Sequence, residues 1–297
     1  MPDAQRLLDP KILARLSTIE LVAKTVVEGF VAGLHRSPTF GFSQEFAEYR
    51  PYVQGDDPRF VDWNVYARTD RTYLKRYLGE TNTALVILFD ASNSMGYRST
   101  GVSKIEYARF LAASLAYLAL HQHDAVSLIL FDEKVRRYIP PSTRPGQLHG
   151  VLHAIEHAEP ATRTNIQQPF EHFQQFLTKR GLVAVISDFY EQPERVIKAV
   201  RPLCYHGNDM MLFHILDPAE LSPPLRDSTL LEDMETGERM EVAPEYARGE
   251  YRKLIQSHID NLRREAQGAG ADYLLLDTSK PLDLALKEFL QFRYKRM

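Results

Sequence analysis

Five short apolar runs punctuate the last two-thirds of the chain, and each ends on an aspartate: "ALVILFD" (84–90), "VSLILFD" (126–132), "GLVAVISD" (181–188), "MMLFHILD" (210–217) and "DYLLLD" (272–277). Their near-continuous hydrophobicity predicts strands buried on both faces of a sheet rather than strands with one wet face. Helical spacing fills the intervals. "SKIEYARFLAASLAYLAL" puts Ile105, Ala108, Leu111, Leu115 and Leu118 on one face. "EYRKLIQSHIDNLRREAQ" groups Tyr251, Leu254, Ile255, Ile259 and Leu262, with Gly268 and Gly270 as its stop. Alternation of this kind predicts βαβ units, hence a doubly wound α/β sheet. "STLLEDMETGERMEV" interrupts the alternation and reads as an inserted β-hairpin near 228–242 that turns on "ETGE".

Upstream the texture differs. Residues 9–34 carry apolar positions three and four apart, with Pro10 after a capping Asp9, which predicts one helix. From Phe40 to Tyr77 the chain is dense in aromatics, arginines and acids, without a sustained period. That stretch is either a loop-rich layer on the main domain or a docking surface, and Trp63 within it is expected to be buried under the first helix. The expected division is an N-terminal helical and loop-rich extension, 1–80, followed by the α/β domain, 81–297.

Composition narrows the classes. Of 297 residues, 44% are hydrophobic and 25% charged, with a net charge of −3, so no global field favours nucleic acid or an anionic membrane. Cys204 is the lone cysteine, which excludes an internal disulfide and suits a reducing compartment. No apolar stretch approaches the roughly 20 residues of a membrane span, and the first residues lack a secretory layout. The expected compartment is the cytoplasm.

The chemistry concentrates where strands end, which in open α/β sheets is where ligands bind. Any one of these aspartates could simply cap the next helix. Asp90-x-Ser92-x-Ser94 is more specific: alternate side chains leaving a strand project together, so one carboxylate and two hydroxyls can converge. All are hard oxygen donors of the kind Mg²⁺, Mn²⁺ and Ca²⁺ prefer. Thr164, in "ATRTNI", and Asp188, closing "AVISD", could complete the set.

That order of Asp-x-Ser-x-Ser, loop Thr and strand-terminal Asp resembles the metal-ion-dependent adhesion site of von Willebrand factor A domains, over roughly residues 81–297. The upstream segments "EGFVAGLHRS", "GFSQEFAEYRPYVQGDDPRFVDWNVYAR" and "TYLKRY" resemble the bacterial domain-of-unknown-function family 58, in which such a stretch precedes an A-like domain. The resemblance implies a mainly parallel sheet with one antiparallel edge strand. It also implies five ligand positions, Asp90, Ser92, Ser94, Thr164 and Asp188, around Mg²⁺ (or Mn²⁺ or Ca²⁺). The departures are Asn165 where an acid is usual and Phe189 where many A domains have glycine. The implied function is metal-dependent protein–protein interaction, in which a partner's Asp or Glu displaces a metal-bound water. The implied role is an adaptor or co-chaperone for a MoxR-type AAA+ ATPase.

Other readings compete. One is a structural scaffold with a vestigial site. A phosphatase using Asp90 as nucleophile would want a second carboxylate where Ser92 stands, and the phosphate-binding glycine loops and the G-x-S-x-G elbow are missing; a non-enzymatic protein is expected. His149, His153 and His157 recur every four residues and could chelate Zn²⁺ or Ni²⁺, but the neighbouring Leu148, Val151, Leu152 and Ile155 form the core face, so the histidines are expected to edge a solvated one. Cys204 and His206 read as ordinary packing.

Overall fold

The computed structural model describes residues 9–34, 46–51, 61, 63–69, 71–77, 84–161, 166–174, 180–234 and 237–296. Two units emerge: 31–82, and 1–30 together with 83–297. The extension expected over 1–80 is therefore divided, because its first thirty residues belong with the α/β unit.

The expected N-terminal helix is two helices. α1 (Pro10–Leu13) is capped by Asp9, whose Oδ1 accepts from the Lys11 amide at 2.8 Å. The chain then breaks, and α2 (Ile19–Leu34) restarts where the Thr18 hydroxyl accepts from the Leu21 amide at 3.2 Å. A Ser-Thr pair offers its own capping bonds, and that local competition outweighs the apolar period running through it. α2 buries Val22, Ala23, Val26, Val27 and Phe30 along one stripe.

The smaller unit holds β1 (Phe46–Pro51) antiparallel to β2 (Tyr73–Tyr77) and the short helix α3 (Trp63–Thr69). Trp63 is not buried as expected. It is 61% exposed and meets Tyr66 edge-on one turn away, ring centroids 6.0 Å apart, so its apolar area is shared with a neighbour at the surface.

In the larger unit the five apolar runs form five strands within a residue of where they were expected: β3 (Ala84–Asp90), β4 (Ala125–Phe131), β6 (Gly181–Ser187), β7 (Asp209–Leu216) and β10 (Asp272–Asp277). A sixth, β5 (Val135–Ser142), was hidden by Pro140 and Pro141, which an edge strand tolerates because one side needs no ladder bonds. The sheet runs β10-β7-β6-β3-β4-β5, parallel except for β5 against β4. The strand order reverses at β3, between β4 and β6, and in open α/β sheets such a reversal is where ligands bind beyond the strand ends. β6 lies tight on β3: a Cβ on Gly181 would stand 2.5 Å from the Ala84 carbonyl oxygen.

Helices cover both faces: α4 (Lys104–His121), α5 (Gln147–Glu156), α6 (Gln167–Gln174), α7 (Pro193–Tyr205), α8 (Pro218–Leu221), α9 (Arg252–Gly268) and α10 (Asp283–Arg296). The expected stripe of α4 is buried throughout. In α9, Ile255, Ile259, Leu262 and Ala266 form the buried stripe, whereas Leu254 is 59% exposed; the face is rotated from the expected one. The inserted hairpin is β8 (Thr229–Glu232) with β9 (Arg239–Val242), and Gly237 supplies its positive φ of 73°. No described helix is long and apolar enough to cross a membrane.

Candidate metal centre

β3 delivers Asp90 to its carboxyl end, fully buried. The chain then folds back: the Ser92 amide donates to Asp90 Oδ1 at 2.8 Å, and Asn93–Gly96 forms a 3₁₀ turn. This turn brings the Ser92 and Ser94 hydroxyls 3.1 Å apart, Ser92 fully and Ser94 almost fully buried. The neighbouring strand β6 contributes Ser187, whose hydroxyl donates to Asp90 Oδ2 at 2.6 Å, and the next residue is Asp188, also fully buried. Four of the five expected positions are thus assembled at adjacent strand ends. Thr164 and Asn165 lie outside the described residues.

Asp188 has a partner the sequence did not announce. Lys104, the first residue of α4, has no exposed side-chain surface; its Nζ donates to Asp188 Oδ2 at 2.7 Å and to Glu220 Oε1 at 2.6 Å. The Tyr190 ring lies 4.8 Å from the same ammonium. Glu220 is fixed in turn, because its Oε2 accepts from the Asp217 amide at 2.8 Å in the capping box of α8. Asp188 Oδ1 is buried and has no hydrogen-bond partner.

The electrostatics follow from burial. Desolvation, then the Asp188 carboxylate, pushes Asp90 up to about 7, even though Ser187 and Ser92 donate to it. Desolvation presses the Lys104 ammonium down, but Asp188 and Glu220 together outweigh it and hold its pKa above the ordinary value. Glu220 is raised, chiefly by desolvation. With all three ionised, Asp90, Asp188 and Glu220 set three carboxylates against one ammonium, a surplus of two negative charges in a largely buried cluster. Such a surplus is costly unless a cation or protons join it. Among the described residues no set of three His, Cys, Asp or Glu could hold a metal. A cation here would therefore take two carboxylates and serine hydroxyls, an all-oxygen donor set that fits a hard divalent ion.

The remaining strand-end aspartates serve turns. Asp132 Oδ1 accepts from the Lys134 amide at 3.1 Å and its Oδ2 lies 3.5 Å from Arg136. Asp217 takes the Ala219 amide at 2.8 Å and the Ser99 amide at 2.9 Å, and Asp277 takes the Ser279 amide at 2.8 Å. His149, His153 and His157 are exposed, as expected; the last two place their Nδ1 atoms 2.8 Å apart. Cys204 is half-buried.

Lys104, Ser187 and Glu220 were missed for different reasons. Ser187 sits in plain view before Asp188. Glu220 stands third after Asp217, the spacing of a capping box. Lys104 carried a subtler sign: a cation at the first position of a helix opposes the macrodipole, so it needs carboxylates from elsewhere.

The chain resembles known proteins over most of its length. It is 25% identical over 281 residues to the uncharacterized protein Rv1480 of Mycobacterium tuberculosis, spanning 92% of this chain and 86% of that one. Among solved structures, the conserved hypothetical protein BatB from Bacteroides thetaiotaomicron superposes with a TM-score of 0.52 at 17% identity, covering 72% of this chain and 98% of that one. An aerotolerance-related membrane protein from Bacteroides fragilis gives 0.53 at 18% identity, covering 72% and 99%. These likenesses show the shared fold. The parallel sheet with a single antiparallel edge strand is the arrangement the resemblance to von Willebrand A domains implies. The family described as "Protein of unknown function DUF58" matches residues 48–261, and this chain belongs to it.

Proposed function

We propose that this chain is a protein-interaction module that holds a divalent cation between Asp90, Ser92, Ser94 and Asp188, with Thr164 as a fifth donor, and offers the ion to a partner's carboxylate. The observation that carries this reading is Asp188 Oδ1, a fully buried carboxylate oxygen with no hydrogen-bond partner, beside a second buried carboxylate that burial and Asp188 push up to about 7. Water or protein normally satisfies such an atom, and an orphan of this kind asks for an explanation. A doubly charged ion both satisfies it and cancels the two surplus charges. Five protein donors leave an octahedron one place, which water keeps until an Asp or Glu from outside takes it.

The vestigial-site reading draws on Lys104, an ammonium already seated on Asp188. It neutralises only one of three carboxylates, and for that reason the metal reading is preferred. The family resemblance makes a MoxR-type AAA+ ATPase the partner to try first, with the chain as adaptor or co-chaperone.

Thermal melts test the metal. In Mg²⁺ or Mn²⁺ at a hundred times Kd, the wild type gains about 2.7 kcal/mol of stability, and Asp90→Ala gains none. An unchanged wild-type melting temperature at millimolar ion sinks the reading. Purified ATPase should then bind in Mg²⁺ and release in chelator; retention in chelator moves the interface off the ion.

A further inference from the structure

We propose that Lys104 makes this centre selective for Mg²⁺ and Mn²⁺ over Ca²⁺, by occupying one oxygen of Asp188 so that the carboxylate meets an ion through the other alone. The inference rests on the divalent-ion reading above and adds what that reading leaves open, the identity of the ion.

The two carboxylates are restrained in a particular way. Lys104 Nζ holds Asp188 Oδ2 at 2.7 Å, and Oδ1 is left without a partner. An ion on Oδ2 would stand beside the ammonium, cation against cation, in a site that excludes solvent. Both oxygens of Asp90 already accept a hydrogen bond, Oδ1 from the Ser92 amide at 2.8 Å and Oδ2 from the Ser187 hydroxyl at 2.6 Å. Asp188 is thereby confined to one oxygen toward an ion, whereas each Asp90 oxygen keeps a second lone pair beside the hydrogen bond it accepts. Ca²⁺ takes six to eight oxygens and commonly uses a bidentate carboxylate, whereas Mg²⁺ takes six, accepts single oxygens and keeps water. A monodentate Asp188 beside short hydroxyl donors suits the smaller ion.

Lys104 is also held in place. Its second partner, Glu220 Oε1 at 2.6 Å, belongs to a side chain anchored by its other oxygen to the Asp217 amide. The Tyr190 ring lies on the ammonium at 4.8 Å. The side chain is fully buried, so the ammonium has no route to solvent that keeps both ion pairs.

Isothermal titration of the full chain with MgCl₂, MnCl₂ and CaCl₂ separately, on wild type and Lys104→Met, tests the proposal. Wild type is expected to bind Mg²⁺ more tightly than Ca²⁺. Lys104→Met removes a positive charge and raises affinity for every divalent ion, so the informative quantity is the Mg²⁺-to-Ca²⁺ ratio, expected to fall by about ten-fold, the usual scale for losing a group that orients a ligand. A ratio unchanged in Lys104→Met overturns the proposal, since a merely structural lysine would alter both ions alike. Should Lys104→Met not fold, Lys104→Leu likewise removes both the charge and the donor and is read the same way. Wild type alone is also decisive: Ca²⁺ binding as tight as Mg²⁺ overturns the selectivity and leaves the metal site standing, whereas no binding of any ion removes both.

Discussion

Phe189 occupies a conformation that L side chains avoid, with φ at +44°, one residue beyond Asp188. Its ring is fully buried, edge-on to His214 at 5.7 Å between centroids, and its carbonyl accepts from His258 Nε2 at 2.9 Å. Ring burial offsets a left-handed backbone, and the two terms separate by substitution. Phe189→Ala should cost about 3–5 kcal/mol through the lost ring. Phe189→Gly should be the more stable of the two by about 1 kcal/mol, reversing the usual order, because glycine sheds the left-handed penalty; chemical denaturation of both variants checks this. Asp90 gives a second prediction. Its ordinary pKa of 3.8 rises to about 7 in the fold, so between those values the folded, metal-free protein keeps a proton that the unfolded chain has lost. Stability from this group is therefore greatest in acid and declines as pH climbs towards 7. In chelator at about pH 8, Asp90→Asn should melt above wild type, and with Mg²⁺ the order should invert. Asp90, Ser92 and Ser94 could be named from their alternate spacing, and Asp188 from its place at a strand end and the family resemblance. Lys104 could not, because nothing along the chain says that α8 will bring Glu220 to it.

Apolar runs that end on aspartate located β3, β4, β6 and β7 because burial on both faces leaves no other pattern, whereas β10, at the sheet edge and only partly buried, was located by its apolar run alone. β5 escaped since an edge strand with prolines carries neither continuity nor alternation. Helix faces were legible where the stripe was unambiguous. In α9 the expected stripe held both Leu254 and Leu262, and only packing against the sheet decides between the faces. Leu262→Ala, at a fully buried position, should cost about 2–5 kcal/mol. Leu254→Ala, at 59% exposure, should stay within about 0.5 kcal/mol. Equal losses in urea melts would return Leu254 to the core.

On the scale of the whole chain, the division into 31–82 and the remainder shows where a linear reading has least purchase: residues 1–30 join a domain that resumes only at 83. The hairpin is the converse, an insertion whose ends meet, with Thr229 paired to Val242. Paired positions stand about 5 Å apart, so excising 230–241 and closing with two glycines should leave a cooperative unfolding transition, at a cost no larger than the about 1.5–3 kcal/mol of dislodging the retained Val242; a broad melt would show the hairpin to be integral to the domain. The hairpin also exposes Leu230, Leu231, Met234 and Met240.

Met234 reaches the 3₁₀ turn through its main chain, its carbonyl oxygen accepting from the Asn93 side-chain amide. A peptide oxygen cannot be mutated away. Exchanging the residue at 234 alters the hairpin's greasy rim while the tether persists, so only Asn93 or the length of the loop can uncouple the hairpin from the serine turn. A scan by point substitution confined to the hairpin would therefore underrate this contact.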